Sequence, residues 1–484
     1  MSSPSLLRPL ALALTALLCA CGDSGPQAGR VVVFTVDTLR ADQLSPYGNR
    51  AYATPNAERL ARQSLVFDAA YSQATITHPS LSSMLTGLLP RRHGVHGQSG
   101  MLAEGVVPLP VLLDNQDIPT ASFVANLCRL QPSPRTVFGS GWDLAHCGMD
   151  DALDQYHWDT NVVDEALAWI AEQDGPYFAW IHLMDPHAEH RPHPELWDYE
   201  ADPPREKFEQ YHHFNSWEEE RSMPPRDELV RMWELYAAEV RGADRELGRV
   251  LDALEAREDW DETAVLFSAD HGEELYETWS RFDHGFSLTE GVVWVPLMAR
   301  VPGLEPGRFD EPVELLQMTP TVLELFDVAP PYAFDGPSLL SDAPSRGFAQ
   351  SGMGVIATTI RTKEHRYWFR HTRQPWRRPP DQAPHRADAR WFLEQHCLAE
   401  YPGPSRTQPR WMRPDAPVNA ALVGELGARM QERLESLGKL PTPEEIDDPG
   451  LRDFLANLGY ADTSGLGTEE DELDDAEELA PDED

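Results

Sequence analysis

Three short apolar runs in this chain each end on a residue type that binds metal ions. "RVVVFTV" runs into Asp37, "PYFAWIHLM" into Asp185 with His187 close behind, and "TAVLFSA" into Asp270-His271. Each run is rich in Val, Phe, Ile or Leu and lacks polar alternation, the pattern of a strand buried on both faces of a parallel sheet. In an open parallel sheet, ligands bind beyond the carboxyl ends of the strands. A single Asp after a strand has an ordinary explanation, because Asp starts turns and caps the next helix. Three such residues together, two of them with histidine nearby, point to a divalent-metal site and so to an enzyme.

Around these runs, from residue 31 to about 340, short apolar segments alternate with amphipathic ones, the sign of an α/β sheet flanked by helices. "PTASFVANL" (119–127) reads as a further strand ending at Asn126. "TNVVDEALAWIAEQ" places Val162, Val163, Ala166, Leu167 and Ile170 on one helical face. Residues 227–256 carry the longest helical pattern, with Asp227 as a cap and Leu229, Met232, Leu235, Tyr236 and Val240 on its buried side. Residues 188–226 are rich in Pro, His, Trp and charge without periodicity, and read as a long surface insertion near the site, a candidate substrate-facing lid. After "DGPSLL" (335–340) the pattern changes, and "GVIATTIRTKEHRYWFRH" alternates as a small antiparallel sheet does. Residues 374–417, rich in Pro and Arg, read as irregular, and "NAALVGELGARMQERLESL" as an amphipathic helix.

At 484 residues with 41% hydrophobic content, the chain can bury a large core and a smaller companion unit. A formal charge of -40 argues against nucleic acid as a partner, because the phosphate backbone would be repelled. The acids peak from Glu469 to Asp484, a composition that suits a solvated, disordered tail. At the other end, Arg8 precedes "PLALALTALLCAC", too short to span a bilayer but right for the apolar part of a signal peptide. Leu18-Cys19-Ala20-Cys21 resembles the bacterial lipobox, which implies a lipidated Cys21 after a signal peptide of residues 1–20. The alternative is an ordinary cleaved signal with an incidental cysteine. Residues 21–29 then form a tether, and the expected location is the bacterial cell envelope, with the membrane reached through Cys21. Of the remaining cysteines, Cys128 and Cys147 are the better pair by proximity, leaving Cys397.

"ATITHPSLSSMLTGLLPRRHGVHG" carries the second signal. Thr77 stands just before a helix-compatible run, with Pro79 in its first turn and Gly87 near its end. A hydroxyl there sits at the positive end of the helix, where free amide N–H groups hold anions. Threonine is a poor nucleophile by itself, and a coordinated cation would favour its alkoxide. The competing reading is a simple N-cap, worth about 1 kcal/mol.

Taken in order, "VVVFTVDTLRADQLSPYG", "THPSLSSMLTGLLPRRHGV", "PYFAWIHLMDPH", "SADHGEE" and "HGFSLTEGVVWVPLMARVPG" resemble the sulfatase family of the alkaline phosphatase superfamily, from about residue 30 to 370. The resemblance implies an α/β fold: a large, mainly parallel mixed sheet between helix layers, with a small C-terminal antiparallel subdomain. It implies a catalytic domain over 30–345, the subdomain over 346–460 and the acidic tail over 461–484. It also implies a metal-bound nucleophile and a covalent intermediate. Asp37 matches the family's first metal-binding aspartate, and Asp270 with His271 the later pair on the same ion. Thr77 falls where sulfatases have the Cys or Ser converted to formylglycine, and would be both nucleophile and metal ligand. His187 lies at the histidine that contacts the ester, and His284 resembles the one that contacts phosphate or a second metal, which Asp185 could join.

The departures change the chemistry expected. Where sulfatases carry Cys/Ser-x-Pro-x-Arg, this chain has Thr77-His78-Pro79-Ser80-Leu81, so neither formylglycine nor its supporting arginine is available. Thr38 stands at the usual second acidic ligand, and Val124-Ala125-Asn126-Leu127 replaces a Gly-Lys-Trp-His segment that holds sulfate. Asp37, Thr77, Asp270 and His271 remain, a set like that of phosphodiesterases and phosphoethanolamine transferases in the superfamily. Formylglycine hydrate collapses to release its sulfate, whereas a threonine ester needs water or another alcohol to displace it. The expected activity is therefore metal-dependent hydrolysis of phosphate mono- or diesters, the ion being zinc, calcium or manganese. Sulfate-ester hydrolysis, phosphoethanolamine-type transfer and a ligand-binding pseudoenzyme are the alternatives. The partner is a small-molecule, glycan or lipid-headgroup ester. His93 and His96 are read as packing residues, Arg40 and Asp42 as a local pair, and Arg361 and Lys363 as a solvated strand face.

Cys21→Ser is expected to shift the protein from the membrane fraction to the soluble one, or to leave its signal uncleaved. One acyl chain binds membranes marginally, whereas the several chains of a bacterial lipoprotein hold firmly. Fractionation with a processing assay checks this, and unchanged behaviour would count against lipidation.

Overall fold

A computed structural model describes residues 27–125, 133–149, 155–202, 226–276, 282–285, 287–342, 344–353, 357–370, 396–401, 410–412 and 419–437. Cys21, Asn126, Cys128, most of the expected lid and the acidic run from Glu469 lie outside the described residues. The main sheet has eight strands: β1 (Arg30–Val36), β2 (Leu65–Phe67), β3 (Thr120–Val124), β4 (Leu144–Cys147), β5 (Tyr177–Leu183), β6 (Thr263–Ala269), β7 (Leu297–Arg300) and β8 (Gly307–Phe309). Their order is β8-β2-β7-β6-β1-β5-β3-β4. Strands β6, β1, β5, β3 and β4 run parallel, while β7 is antiparallel to both of its neighbours, so the sheet is mixed.

The three apolar runs are its centre. Every residue of β1, β5 and β6 is buried, and since side chains alternate between the faces of a strand, both faces of the sheet are covered. The register is level: Val36 pairs with Leu183 on one side and with Ala269 on the other. All three strands therefore stop at one height, and Asp37, Asp185 and Asp270 emerge along a single edge. Around the sheet lie α1 (Thr77–Thr86), α2 (Gln155–Ala171) and α3 (Arg226–Glu255), the last matching the longest periodic stretch of the sequence. Val162, Val163, Ala166 and Ile170 of α2 join Met232, Leu235, Tyr236 and Val240 of α3 in the same core, with Leu229 at its margin. Cys147, at the end of β4, is disulfide-bonded.

A second, antiparallel sheet follows: β9 (Ala349–Met353), β10 (Ala357–Arg361), β11 (His365–Arg370), β12 (His396–Glu400) and β13 (Arg410–Met412). Helix α4 (Ala420–Ser436) lays Leu426 and Met430 against Ile360 and Tyr367. Two expectations need correction. The segment read as irregular supplies β12 and β13, strands of five and three residues whose short apolar runs are hidden among prolines and arginines and become strands through pairing, β12 with β11 and β13 with β12. Arg361 is not on a solvated face. It is fully buried, donates from Nε to Glu290 Oε1 at 2.9 Å, and shares that carboxylate with Arg366 and the Tyr401 hydroxyl. Lys363 does stay near the surface, 2.7 Å from Asp310.

Glu290 is thus the buried counter-charge that docks the C-terminal sheet. Removing one member of such a group leaves uncompensated charge in the interior, so Glu290→Gln should lower unfolding stability by about 3–5 kcal/mol. Denaturant titration checks this, and an unchanged midpoint would show that the cluster does not hold the two parts together.

Candidate active site

The turn after β1 is shaped by α3. Thr38 has a φ of 54°, a left-handed conformation that a β-branched residue adopts only when its surroundings enforce it. Tyr236 of α3 enforces it, donating its hydroxyl to Thr38 O at 2.7 Å and accepting the Arg40 N–H at 3.2 Å. The turn directs the Thr38 N–H to Asp270 Oδ1 at 3.2 Å, where the His271 N–H also donates at 2.7 Å. One oxygen of Asp270 is therefore saturated by backbone, while Oδ2 is buried and accepts no hydrogen bond. Gly272 is required by close approach, since a Cβ there would lie 2.1 Å from Gly291 O.

Thr77 is the first residue of α1, and the cap position belongs to Ile76, which makes no side-chain cap bond. The hydroxyl does not cap the helix. Its Oγ1 lies 3.5 Å from Asp37 Oδ2 and 3.4 Å from His271 Nε2. The expected row of free amides is shorter than the sequence suggests, because Pro79 has none and His78 N–H donates to Gln98 Oε1 at 2.8 Å. Ser80 ties this first turn to the sheet edge, donating to Asp270 O at 2.6 Å.

The two carboxylates are completely buried and face the same space. Burial opposes charge on Asp37, but the neighbouring His187, His182 and His271 rings hold its carboxyl below the usual range. Asp270 moves the other way, raised by burial and then by the Asp37 charge. His271 is pushed down to about 3 by burial and by His284. Its Nδ1 is 3.0 Å from Gly272 O, which can only accept, so Nδ1 carries the proton and the bare Nε2 faces Thr77 and both carboxylates. Ligand atoms of Asp37, His182 and Asp270 fall within 4.8 Å of one another, the one such cluster among the described residues. Buried oxygens and nitrogens that make no hydrogen bond, beside two like charges, are the environment that a divalent cation satisfies.

His187 and His284 are also brought in. Their ring centres are 5.2 Å apart, and His284 lies 4.5 Å from His271. His187 Nδ1 donates to Ala188 O at 2.5 Å, and His284 Nδ1 is 3.2 Å from Glu273 Oε2. Burial, opposed by His187 and His190, raises the Glu273 carboxyl to about 8, and burial with His187 depresses His284 to about 3. A short hairpin, Glu274–Leu275 against Phe282–Asp283, sets His284 at this distance. Asp185 is not in the ligand cluster. Its N–H and that of Met184 donate to Asp159 of α2, at 3.0 and 2.6 Å, which fixes the turn that carries His187.

His182, Glu273, Asp159, Ser80 and the buried His190–Glu239 pair (2.6 Å) were missed from sequence. His182 left a signal, a lone polar residue inside an otherwise apolar run. Asp159 and Glu239 left none, since acids on helices are ordinary. Arg40 and Asp42 pair as expected, at 2.7 Å, and His93 is a buried packing residue bonded to Ser83 Oγ at 3.0 Å.

The uncharacterized sulfatase YidJ of Escherichia coli (strain K12) is 22% identical over 365 residues, which is 64% of this chain and 70% of that protein. The ulvan-active sulfatase of Formosa agariphila is 22% identical over 369 residues, covering 69% and 70% respectively. In fold, the phosphonate monoester hydrolase of Agrobacterium radiobacter superposes with a TM-score of 0.65 at 16% identity, over 88% of this chain and all of that one. The sulfatase family model matches residues 30–328, which takes in β1, Thr77, β5, β6 and His284 alike. The chain therefore belongs to the sulfatase family, ester hydrolases of the alkaline phosphatase superfamily.

Proposed function

We propose that this protein hydrolyses phosphate mono- or diesters, with Thr77 as the nucleophile. The observation that carries the reading is the placement of Thr77 Oγ1 within 3.5 Å of Asp37 and 3.4 Å of the bare nitrogen of His271, while Leu81 is fully buried hydrocarbon. Enzymes of the superfamily use a divalent metal. Asp37, Asp270 and His271, with the Thr77 hydroxyl, are the residues that would hold one, and its charge would ease loss of the Thr77 proton and offset the charge on the phosphoryl oxygens.

Thr77 loses its proton to solvent as its Oγ forms a bond to phosphorus, the bond from phosphorus to the leaving oxygen breaks, and His187 gives that oxygen its proton. Water then attacks the phosphoryl group and passes a proton to His284, which returns it to the neighbouring His187. The bond from Thr77 to phosphorus breaks, and Thr77 takes a proton back from solvent. The helix dipole of α1 supports the negative charge through both steps, although it offers fewer free amides than a typical anion site. Replacing the hydroxyl by formylglycine would need Cys or Ser at 77, and the arginine that supports that group is Leu81 here. A second reading, sulfate-ester hydrolysis, is favoured by the family match over 30–328. Attachment to the cell envelope through a lipidated Cys21 is part of the proposal and rests on the lipobox-like segment.

Aryl phosphate, phosphodiester, phosphonate and sulfate esters, assayed side by side, separate the readings. Phosphate esters should be turned over faster than matched sulfate esters, and a clear preference for sulfate would overturn the proposed substrate class. Thr77→Ala should lose several orders of magnitude in kcat, as covalent nucleophiles do, while Thr77→Ser keeps part of the rate. A fully active Thr77→Ala enzyme would remove Thr77 from the chemistry.

Chelation should abolish turnover, and Asp270→Ala should lose both metal and activity, read by elemental analysis beside the assay. A protein that is active and metal-free would contradict the metal role.

A further inference from the structure

The second acidic ligand that usually follows the family's first aspartate is Thr38 here, so the centre has one carboxylate fewer. A nitrogen lies close by instead. His182 projects from β5, is fully buried, and its Nε2 makes no hydrogen bond. That atom lies 3.8 Å from Asp37 Oδ2 and within the 4.8 Å cluster that includes Asp270. A separation of 3.8 Å is too long for a hydrogen bond. It is close to the spacing of about 3.4 Å expected between two ligands of a tetrahedral ion with bonds of about 2.1 Å.

The other ring nitrogen decides the tautomer. His182 Nδ1 is 2.9 Å from Thr35 Oγ1, and Trp180 Nε1, which can only donate, reaches the same oxygen at 2.9 Å. The Thr35 hydroxyl also has Ile181 O as an acceptor, at 3.4 Å. With its proton given to Ile181 O and one lone pair taken by Trp180, the oxygen can accept from Nδ1–H, the tautomer that leaves Nε2 unprotonated. Nε2 is then bare and turned toward two carboxylates. A lone pair facing two anions in a buried site is repulsive unless a cation lies between them. The arrangement is built into the sheet, because Thr35 and His182 are register partners of β1 and β5.

We infer that His182 is a nitrogen ligand of the catalytic ion, held in the Nδ1–H tautomer by Thr35 and Trp180, and that it turns the centre toward a zinc-class transition ion over calcium or magnesium. The inference rests on the metal reading of the site proposed above. Two imidazoles beside two carboxylates and a hydroxyl suit zinc and its neighbours, whereas calcium takes 6–8 oxygen ligands and magnesium a near-ideal oxygen octahedron. Thr35 is a positioning residue: a partner that fixes the orientation of a ligating histidine typically changes metal affinity by about 10–100-fold.

The test is equilibrium dialysis of metal-stripped full-length protein against equimolar Zn2+, Mn2+, Ca2+ and Mg2+, with elemental analysis, and Co2+ loading followed by its visible absorption. Wild type should retain Zn2+ over Ca2+ and Mg2+. His182→Ala should bind Zn2+ at least about 10-fold more weakly with a changed Co2+ spectrum, and Thr35→Val should weaken Zn2+ binding by about 10–100-fold. His182→Asn, which replaces nitrogen by an amide oxygen, should narrow the preference for Zn2+ over Ca2+. If His182→Ala fails to fold by circular dichroism, His182→Asn and Thr35→Val decide the matter. Variants with wild-type zinc affinity and an unchanged Co2+ spectrum, or a wild type that selects calcium, would overturn the inference alone. A wild type that binds none of these ions would overturn the metal reading with it.

Discussion

The Asp37 and Asp270 carboxylates are held against each other in a space that excludes water, and the organisation of the site follows from what that costs. Two buried like charges with no cation between them would drive one carboxylate to take up a proton, which is the direction in which burial and Asp37 push Asp270. The protein accepts that arrangement and reinforces it. Two backbone N–H groups fix Asp270 Oδ1, Tyr236 clamps the strained Thr38 turn, and Ser80 anchors the helix that begins at Thr77 to the same strand end. Each contact uses stabilisation from the surrounding fold to keep an unfavourable electrostatic pair in place. That is the expected form of a site prepared for a divalent cation.

The same logic extends outward. His271 is fixed in one tautomer by Gly272 O, and Gly272 must be glycine because the 291 carbonyl passes so close. His284 is placed by a hairpin, and His187 by a turn that Asp159 holds through two backbone donors. Six residues after His284, Glu290 gathers Arg361, Arg366 and Tyr401 from the C-terminal sheet. The second sheet is therefore docked directly behind the segment that carries a catalytic candidate, with Glu314 as a further buried carboxylate that receives Gln350 N–H and Arg433.

Much of this was legible in the sequence. The apolar runs ending at Asp37, Asp185 and Asp270 identified the central strands, because strands buried on both faces leave an unbroken hydrophobic trace. Asp37, Thr77, Asp270, His271, His187 and His284 do converge, since motifs at strand ends are carried to one edge by a level register. Other features could not be read. Asp185 looks equivalent to Asp37 by position, yet its turn packs against Asp159 of α2, and only the tertiary fold brings that acid near. Arg361 reads as a surface residue until Glu290 is found opposite it. Strands β12 and β13 depend on pairing, with β11 and with each other, and have little local preference. His182 was visible as a polar residue in an apolar strand, but its importance depends on which neighbour each ring nitrogen meets.

The proposed covalent role of Thr77 is tested most directly by rapid acid quenching during turnover of an aryl phosphate, followed by mass spectrometry of the peptide that contains residue 77. A phosphoryl group on the Thr77 side chain should appear with the first turnover, disappear when substrate is exhausted, and be absent from Thr77→Ala. Steady turnover with no such adduct, or an adduct on another residue, would contradict that role.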